Sequence, residues 1–173
     1  MGRLGSPKVV VVGVGNLSMG DDGMGIWVAE ELRKAELPDE VLVLDGGTAL
    51  LDVLEEVEGA ERLVIVDAMF GDGPPGTVYV LSSDDLRNRK GKFSLHDIGV
   101  AEMLELGKLI YRIPEDVVLV GVEPEHVGPG IGLSRTLREK LQEVVRVVAE
   151  VAGTSDRTLG TSRNSNRIRR EGT

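Results

Sequence analysis

Three residues that lie far apart in the chain could together bind a metal ion. Asp22, Asp67 and His96 supply two carboxylates and one imidazole, a set that holds a metal ion and leaves coordination positions open. Each residue stands where a predicted strand or loop gives way to the next element, and α/β folds assemble their sites at such positions. The sequence therefore predicts a metal site with exchangeable positions, built from these three side chains.

Each member of this trio also has a purely structural interpretation. Asp21 and Asp22 lie in the glycine-rich segment 20–25 at a predicted helix start, where an aspartate can cap the helix. We expect a ligand role for Asp22, whereas for Asp21 both roles stay open. Asp67 ends an apolar run, on the side where open α/β sheets bind ligands, and could instead cap a loop.

The two histidines of the chain differ in their surroundings. His96 falls in the first turn of a predicted helix, whose positive end should lower the imidazole pKa and keep the ring neutral for metal binding. A solvent-facing histidine is the alternative. His126 follows Pro124 in a turn-rich loop, where it could position a substrate or simply lie on the surface.

The elements that must position these residues alternate along the first half of the chain. Apolar runs rich in β-branched residues predict strands buried on both faces, which is typical of a parallel sheet covered by helices. The predicted strands are residues 9–12, 41–44 and 63–66, and the predicted helices are residues 26–32 and 50–57. This βαβαβ order indicates an α/β fold.

The second half adds a predicted edge strand and two long helices. Residues 77–81 predict a strand that could lie antiparallel at the sheet edge, and residues 82–92 predict a loop. Ser94 and Asp97 have the spacing of a capping box, with a helix running to about Ile110. The remaining predictions are a buried strand at residues 117–122 and an amphipathic helix at residues 133–151 that ends before Gly153.

Composition narrows the range of functions. The formal charge is −9, and residues 153–173 hold five arginines against Asp156 and Glu171, a net charge of +3, which leaves −12 on residues 1–152. We expect residues 1–152 to form one domain that repels nucleic acid, and residues 153–173 to be a disordered basic tail. Cysteine is absent, which excludes thiolate chemistry. Without a membrane span or secretory segment, the expected location is the cytoplasm.

Other catalytic and binding motifs have less support. Gly13 and Gly15 follow the first strand and could let the backbone approach a ligand, but Ser18 stands where a dinucleotide fingerprint needs its third glycine. A tight turn explains both glycines equally well. The serine-elbow, zincin and P-loop patterns do not occur in the sequence.

Six segments, in this order, resemble the hydrogenase maturation endopeptidase family. They are Gly13-Val-Gly-Asn16, Gly20-Asp-Asp-Gly-Met-Gly25, Leu44-Asp-Gly-Gly-Thr48, Val64-Ile-Val-Asp-Ala68, Ser94-Leu-His-Asp-Ile-Gly99 and Val120-Gly-Val-Glu-Pro124. The resemblance spans about residues 8–152 and implies a three-layer αβα sandwich of the phosphorylase/hydrolase-like kind, with a twisted, mostly parallel sheet. The tail lies outside it.

This resemblance also implies an activity and a site. The enzyme would remove a C-terminal extension from the large-subunit precursor of a nickel-iron hydrogenase after nickel insertion, with Asp22, Asp67 and His96 as metal ligands. The ion would be zinc or nickel, and the nickel would be either the enzyme's own or the one that the precursor carries. Gly46, Gly47 and Thr48 would contact the substrate backbone, with His126 beside them. A metal-dependent chaperone and a nucleotide-binding domain remain the alternatives.

Overall fold

A five-stranded sheet forms the centre of the protein. The computed structural model describes residues 5–88 and 95–153, and for residues 87, 88, 95–99 and 101 it describes the backbone alone. The strands are β1 (Val9–Val14), β2 (Val41–Gly47), β3 (Arg62–Ala68), β4 (Val78–Ser82) and β5 (Asp116–Val122). Their order is β2-β1-β3-β5-β4, and β4 alone runs antiparallel to its neighbour. The predicted parallel sheet with an antiparallel edge strand is thus confirmed.

Helices cover both faces of this sheet. The α-helices are α1 (Met24–Lys34), α2 (Leu54–Val57), α3 (Ser83–Asn88), α4 (Leu95–Lys108) and α5 (Arg135–Val151), and 3-10 helices span Asp21–Gly23 and Leu50–Val53. Side chains alternate between the faces of a strand. Val64 and Val66 therefore pack with α1 and α5, while Leu63 and Ile65 pack with α2 and α4. The result is the predicted three-layer αβα sandwich.

Part of the loop predicted over residues 82–92 is helical, because β4 ends at Ser82 and is followed at once by α3, Ser83–Asn88. The side chains of Ser82 and Asp85 explain the helix. The backbone N–H of Ser82 donates to Asp85 Oδ2 at 2.8 Å, and the N–H of Asp85 donates to Ser82 Oγ at 3.2 Å. This is a capping box, the motif also predicted at Ser94, which lies outside the described residues.

The predicted helix over residues 50–57 is divided in two. Its first turn is a 3-10 helix, in which the N–H of Asp52 donates to the carbonyl of Ala49 at 3.0 Å, and α2 follows directly. Leu50, Leu54 and Val57 are nevertheless fully buried, as their spacing predicts. The apolar pattern indicated the buried face correctly, whereas it does not distinguish one type of helical turn from the other.

The last helix begins and ends as the sequence predicts. Ser134 caps α5 by accepting a hydrogen bond from the N–H of Leu137 at 3.4 Å. At the other end, Gly153 has a φ of +74° and its N–H donates to the carbonyl of Glu150 at 3.0 Å. A left-handed glycine at this position is the expected C′ residue. Residues 154–173, which hold most of the predicted tail, lie outside the described part of the chain.

Within the described ranges, none of the helices combines the length and the apolar character that crossing a bilayer requires.

The direction of α4 determines which end of the sheet its first turn reaches. This helix ends at Lys108, shortly before β5 begins at Asp116, so the two elements run in opposite directions. Its 14 residues span about 21 Å, and the 7 residues of β5 span about 23 Å. Because these lengths match, we expect the first turn of α4 near the carboxyl ends of the parallel strands.

Candidate active site at the carboxyl edge of the sheet

The carboxyl edge of the sheet holds every buried acidic residue in the described part of the chain. These residues are Asp21, Asp22, Asp67 and Glu123, with exposed fractions of 0%, 4%, 1% and 7%. A buried carboxylate is costly unless hydrogen bonds, a positive charge or a metal compensates it. Since four such groups are concentrated at one edge, this edge is the candidate functional site.

Asp67 lies at the carboxyl end of strand β3. It pairs with Gly121 on β5, one residue before β3 ends at Ala68. The alternation of the strand places its side chain on the same face as Leu63 and Ile65, which is the face covered by α4. Asp67 therefore lies on the side of the sheet where α4 begins.

Two glycines bring Asp22 to the end of β3. The 3-10 helix that carries Asp22 contacts β3 directly. A Cβ atom added to Gly25 would lie 2.1 Å from the carbonyl oxygen of Val66, and one added to Gly15 would lie 2.0 Å from that of Asp22. Only glycine permits such an approach of two backbones. Asp22 is further held by the N–H of Asn16, which donates to its Oδ2 at 3.1 Å.

Gly13 belongs to the same contact between the helix start and the sheet. A Cβ atom at this position would lie 2.1 Å from the carbonyl oxygen of Gly25 and 2.9 Å from the side chain of Ala29. Gly13 and Gly15 thus let the start of α1 approach β1, which accounts for both residues without a phosphate ligand. Gly15 also adopts a φ of +148°, which suits glycine in a turn.

His96 is the second residue of α4, so its backbone belongs to the first turn of that helix. Its side chain lies outside the described part of the structure. Among the side chains that are described, no three His, Asp or Glu residues form a group that could hold a metal ion. The side chain of His96 is not among them, so a metal site formed by Asp22, Asp67 and His96 stays a prediction.

Asp21 does not cap the helix that follows it. Its carboxylate instead accepts three backbone N–H groups from the loop between β5 and α5, residues 123–134. Glu125 and His126 donate to Oδ2 at 2.9 and 3.0 Å, and Ser134 donates to Oδ1 at 2.7 Å. Asp21 therefore fixes this loop against the segment that carries Asp22.

The proposed substrate-contacting residues border the same edge. Gly46 is buried at a bulge between β1 and β2, and Gly47 adopts a φ of +50° that suits glycine. The carbonyl of Gly47 accepts the N–H of Gly15 at 2.9 Å. Thr48 and His126 are both exposed. The fold thus brings residues 46–48, Asp22, Asp67 and the His126 loop to one edge.

Glu123 and Tyr79 form a second anchor that the sequence did not suggest. Tyr79 donates its hydroxyl to Glu123 Oε2 at 2.8 Å, and the N–H of Gly71 donates to the same oxygen at 2.6 Å. Burial, followed by this hydrogen bond, raises the pKa of Tyr79. One signal was available, since Glu123 directly follows strand β5 and Asp67 likewise stands at the end of an apolar strand, one residue before β3 ends.

Comparisons with known proteins agree on one family. A sequence model of the hydrogenase maturation protease family matches residues 26–151. The hydrogenase 2 maturation protease of Escherichia coli K12 is 33% identical over 144 residues, which cover 82% of this chain and 88% of that protein.

Solved structures of the family share this fold. The hydrogenase maturating endopeptidase HybD from E. coli superposes with a TM-score of 0.71 at 31% identity, covering 85% of this chain and 94% of that one. The [NiFe] hydrogenase maturation protease HybD from Thermococcus kodakarensis gives 0.73 at 26% identity, covering 84% and 99%. The chain therefore belongs to the hydrogenase maturation protease family and is a peptidase, a hydrolase of peptide bonds.

Proposed function

We propose that this peptidase removes a C-terminal extension from the large-subunit precursor of a nickel-iron hydrogenase after nickel has been inserted. The family supports processing of a hydrogenase. The observation that carries the proposal is the burial of Asp22 and Asp67 at one edge of the sheet, where the 3-10 helix of Asp22 contacts β3. Such a pair of acidic groups suits hydrolytic chemistry better than recognition alone.

Asp22, Asp67 and His96 are the proposed ligands of a metal ion. Asp67 faces the layer of α4, and α4 begins at the carboxyl edge, so the first turn of this helix starts close to both carboxylates. Two carboxylates and a neutral imidazole fit nickel or zinc. The ion is either the enzyme's own or the nickel that the precursor carries.

The ion would polarise the scissile carbonyl and increase the acidity of a water molecule. The side chains of the protein would move the protons that hydrolysis requires. Hydrolysis breaks the C–N bond, adds the oxygen of water to the carbonyl carbon and returns a proton to the leaving nitrogen. A carboxylate of Asp22 or Asp67 within reach of the water can accept that proton. Their low exposure keeps bulk water away from these charges.

Residues at the border of the site are proposed to hold the substrate. The turn of Gly46, Gly47 and Thr48 lies at the carboxyl end of β2, two strands from Asp67, which is about 10 Å at the usual strand spacing. An extended peptide crossing the edge would meet this turn on one side and the loop of His126 on the other. We propose backbone contacts at the turn and a positioning role for His126.

We also propose that residues 1–152 form a single catalytic domain, with residues 153–173 as a basic tail outside it, and that the reaction takes place in the cytoplasm. The last helix ends at Val151 with a regular cap, so the described fold closes before the tail begins. The acidic body of the domain favours a protein partner over nucleic acid.

The mass of the precursor tests this proposal. Purified large-subunit precursor, with and without nickel, is incubated with the protein and its intact mass is measured. We expect nickel-loaded precursor to lose a C-terminal fragment and nickel-free precursor to keep its full mass. Cleavage of both forms at equal rates would contradict the dependence on nickel. A stable complex in which neither form is cut would indicate a chaperone instead.

A further inference from the structure

Three exposed apolar side chains surround the carboxyl edge of the sheet. Leu17, Phe70 and Ile131 lie in the loops that follow β1, β3 and β5, and they are 37%, 46% and 88% exposed. We call these three side chains the apolar rim. An exposed apolar side chain is ordinary by itself, but three of them in loops at the same edge of the sheet could contact a partner there.

The loops of Leu17 and Ile131 are joined by their backbones. The N–H of Gly20 donates to the carbonyl of Gly130 at 2.8 Å, and the N–H of Gly130 donates to the carbonyl of Ser18 at 2.9 Å. Leu17 and Ile131 therefore lie next to two backbone segments that are joined by an isolated β-bridge between Met19 and Gly130. The three hydrogen bonds that Asp21 accepts fix the same two segments to each other.

The loop of Phe70 is fixed by the other buried acid. Gly71, its neighbour, donates its N–H to Glu123 Oε2, and Gly73 donates its N–H to the hydroxyl of Tyr79 at 2.9 Å. Phe70 lies three residues after Asp67, so this loop leads directly away from the proposed metal site. Asp21 and Glu123 thus hold in place the loops that carry the rim.

A surface that is already fixed binds at a lower entropic cost than one that must become ordered. Because its loops are already fixed, the apolar rim is suited to binding a partner. The position of the apolar rim around the site indicates which molecule it binds. A peptide whose scissile bond reaches Asp22 and Asp67, which are almost fully buried, must cross the loops that surround them.

We propose that the apolar rim binds apolar residues of the hydrogenase large-subunit precursor on either side of the scissile bond. This inference rests on the proposed function, because it assigns the substrate contacts of the same site. It names side chains, chiefly Ile131, that should determine the affinity for the precursor and take no part in breaking the bond.

The opposite edge of the sheet provides a matched control. Leu106, Leu109 and Ile110, at the end of α4, are also exposed, and Leu109 reaches 82%. They lie near the start of β5, far from Asp67. If any exposed apolar side chain served equally well, Leu109 would contribute to binding as much as Ile131 does.

Binding and cleavage are measured separately in the test. The dissociation constant is determined by calorimetry with nickel-free precursor, which should not be cut, for the wild-type protein and for Ile131→Ser, Leu17→Ser and Leu109→Ser. Ile131→Ser should weaken binding roughly tenfold, the loss expected for an exposed aliphatic side chain that becomes buried. Leu17→Ser should weaken it roughly threefold, since less of this side chain is exposed. Leu109→Ser should stay within about twofold of wild type.

The same variants are then assayed with nickel-loaded precursor. Ile131→Ser should raise KM by a similar factor and leave kcat within about twofold, because uniform binding is lost. An unchanged affinity of Ile131→Ser for the precursor, or an equal loss of affinity in Leu109→Ser, would contradict the proposal that the apolar rim binds the precursor. The wild-type protein could also bind the precursor tightly through the apolar rim and yet not cleave it. That result would support the role of the rim and refute the proposed function.

Discussion

Two of the four buried acids of the carboxyl edge hold loops that are distant in sequence. Asp21 and Glu123 accept backbone N–H groups from loops that are distant in sequence, and Glu123 also accepts the hydroxyl of Tyr79. Their charges are compensated by these donors, so their role is to hold loops. Asp22, which accepts the N–H of nearby Asn16, and Asp67 are the pair proposed for the chemistry.

Asp21→Asn tests the anchoring role at the scale of one residue. The amide nitrogen of asparagine would present hydrogens to backbone N–H groups that now donate to a carboxylate oxygen. We expect the free energy of unfolding to fall by roughly 3 kcal/mol, since at least one buried donor loses its acceptor and the remaining bonds lose their charge. Urea denaturation measures this change.

Asp45→Asn is the matched control. The side chain of Asp45 is exposed and accepts a single N–H, that of Gly47, at 2.8 Å. The same substitution there should cost less than about 1 kcal/mol. Equal losses in the two variants would show that Asp21 is an ordinary turn aspartate.

At the scale of elements, the decisive contact joins the start of α1 to β1 and β3. Gly25 allows it, because a Cβ atom there would lie 2.4 Å from the carbonyl oxygen of Val14 and closer still to that of Val66. The 3-10 helix before α1 is positioned by the same contact. The location of Asp22 relative to Asp67 therefore depends on a residue that has no chemistry of its own.

Gly25→Ala should force the helix start away from the sheet. We expect a loss of roughly 3 kcal/mol or more, because two carbonyl oxygens of the sheet would have to shift. Gly47→Ala is the control, since its Cβ would meet nothing within 4 Å and only its φ of +50° is unfavourable, a cost of about 1 kcal/mol. Thermal unfolding of both variants measures the difference. A Gly25→Ala variant as stable as Gly47→Ala would refute the close contact.

The elements themselves could largely be predicted from the sequence, because their signals are local. Runs such as Val9 to Val12 and the i, i+3, i+4 spacing of α5 depend on neighbours only, and all five strands and the long helices follow from them. The short helix α3 was missed although its capping box at Ser82 and Asp85 is as local as the others. Its polar composition concealed the helical turn.

At the scale of the whole molecule, the sequence indicated where a site should form but not how it is held together. The carboxyl edge follows from the βα alternation, which places Asp22 and Asp67 there. The roles of Asp21 and Glu123 depend on partners 104 and 52 residues away, such as Glu125 and Gly71. No local pattern encodes such pairs, so they could be found only once the fold was known.

Cleavage of nickel-loaded precursor by single variants tests the central claim, that Asp22, Asp67 and His96 act together although they come from three separate segments. Intact-mass spectrometry is applied to Asp22→Ala, Asp67→Ala and His96→Ala, with Asp116→Ala, an exposed residue at the opposite edge, as the control. We predict that each of the three variants unfolds cooperatively yet cleaves at least about a hundredfold more slowly, as expected when a ligand is lost, while the control cleaves normally. Normal cleavage by any folded member of the trio would contradict the account.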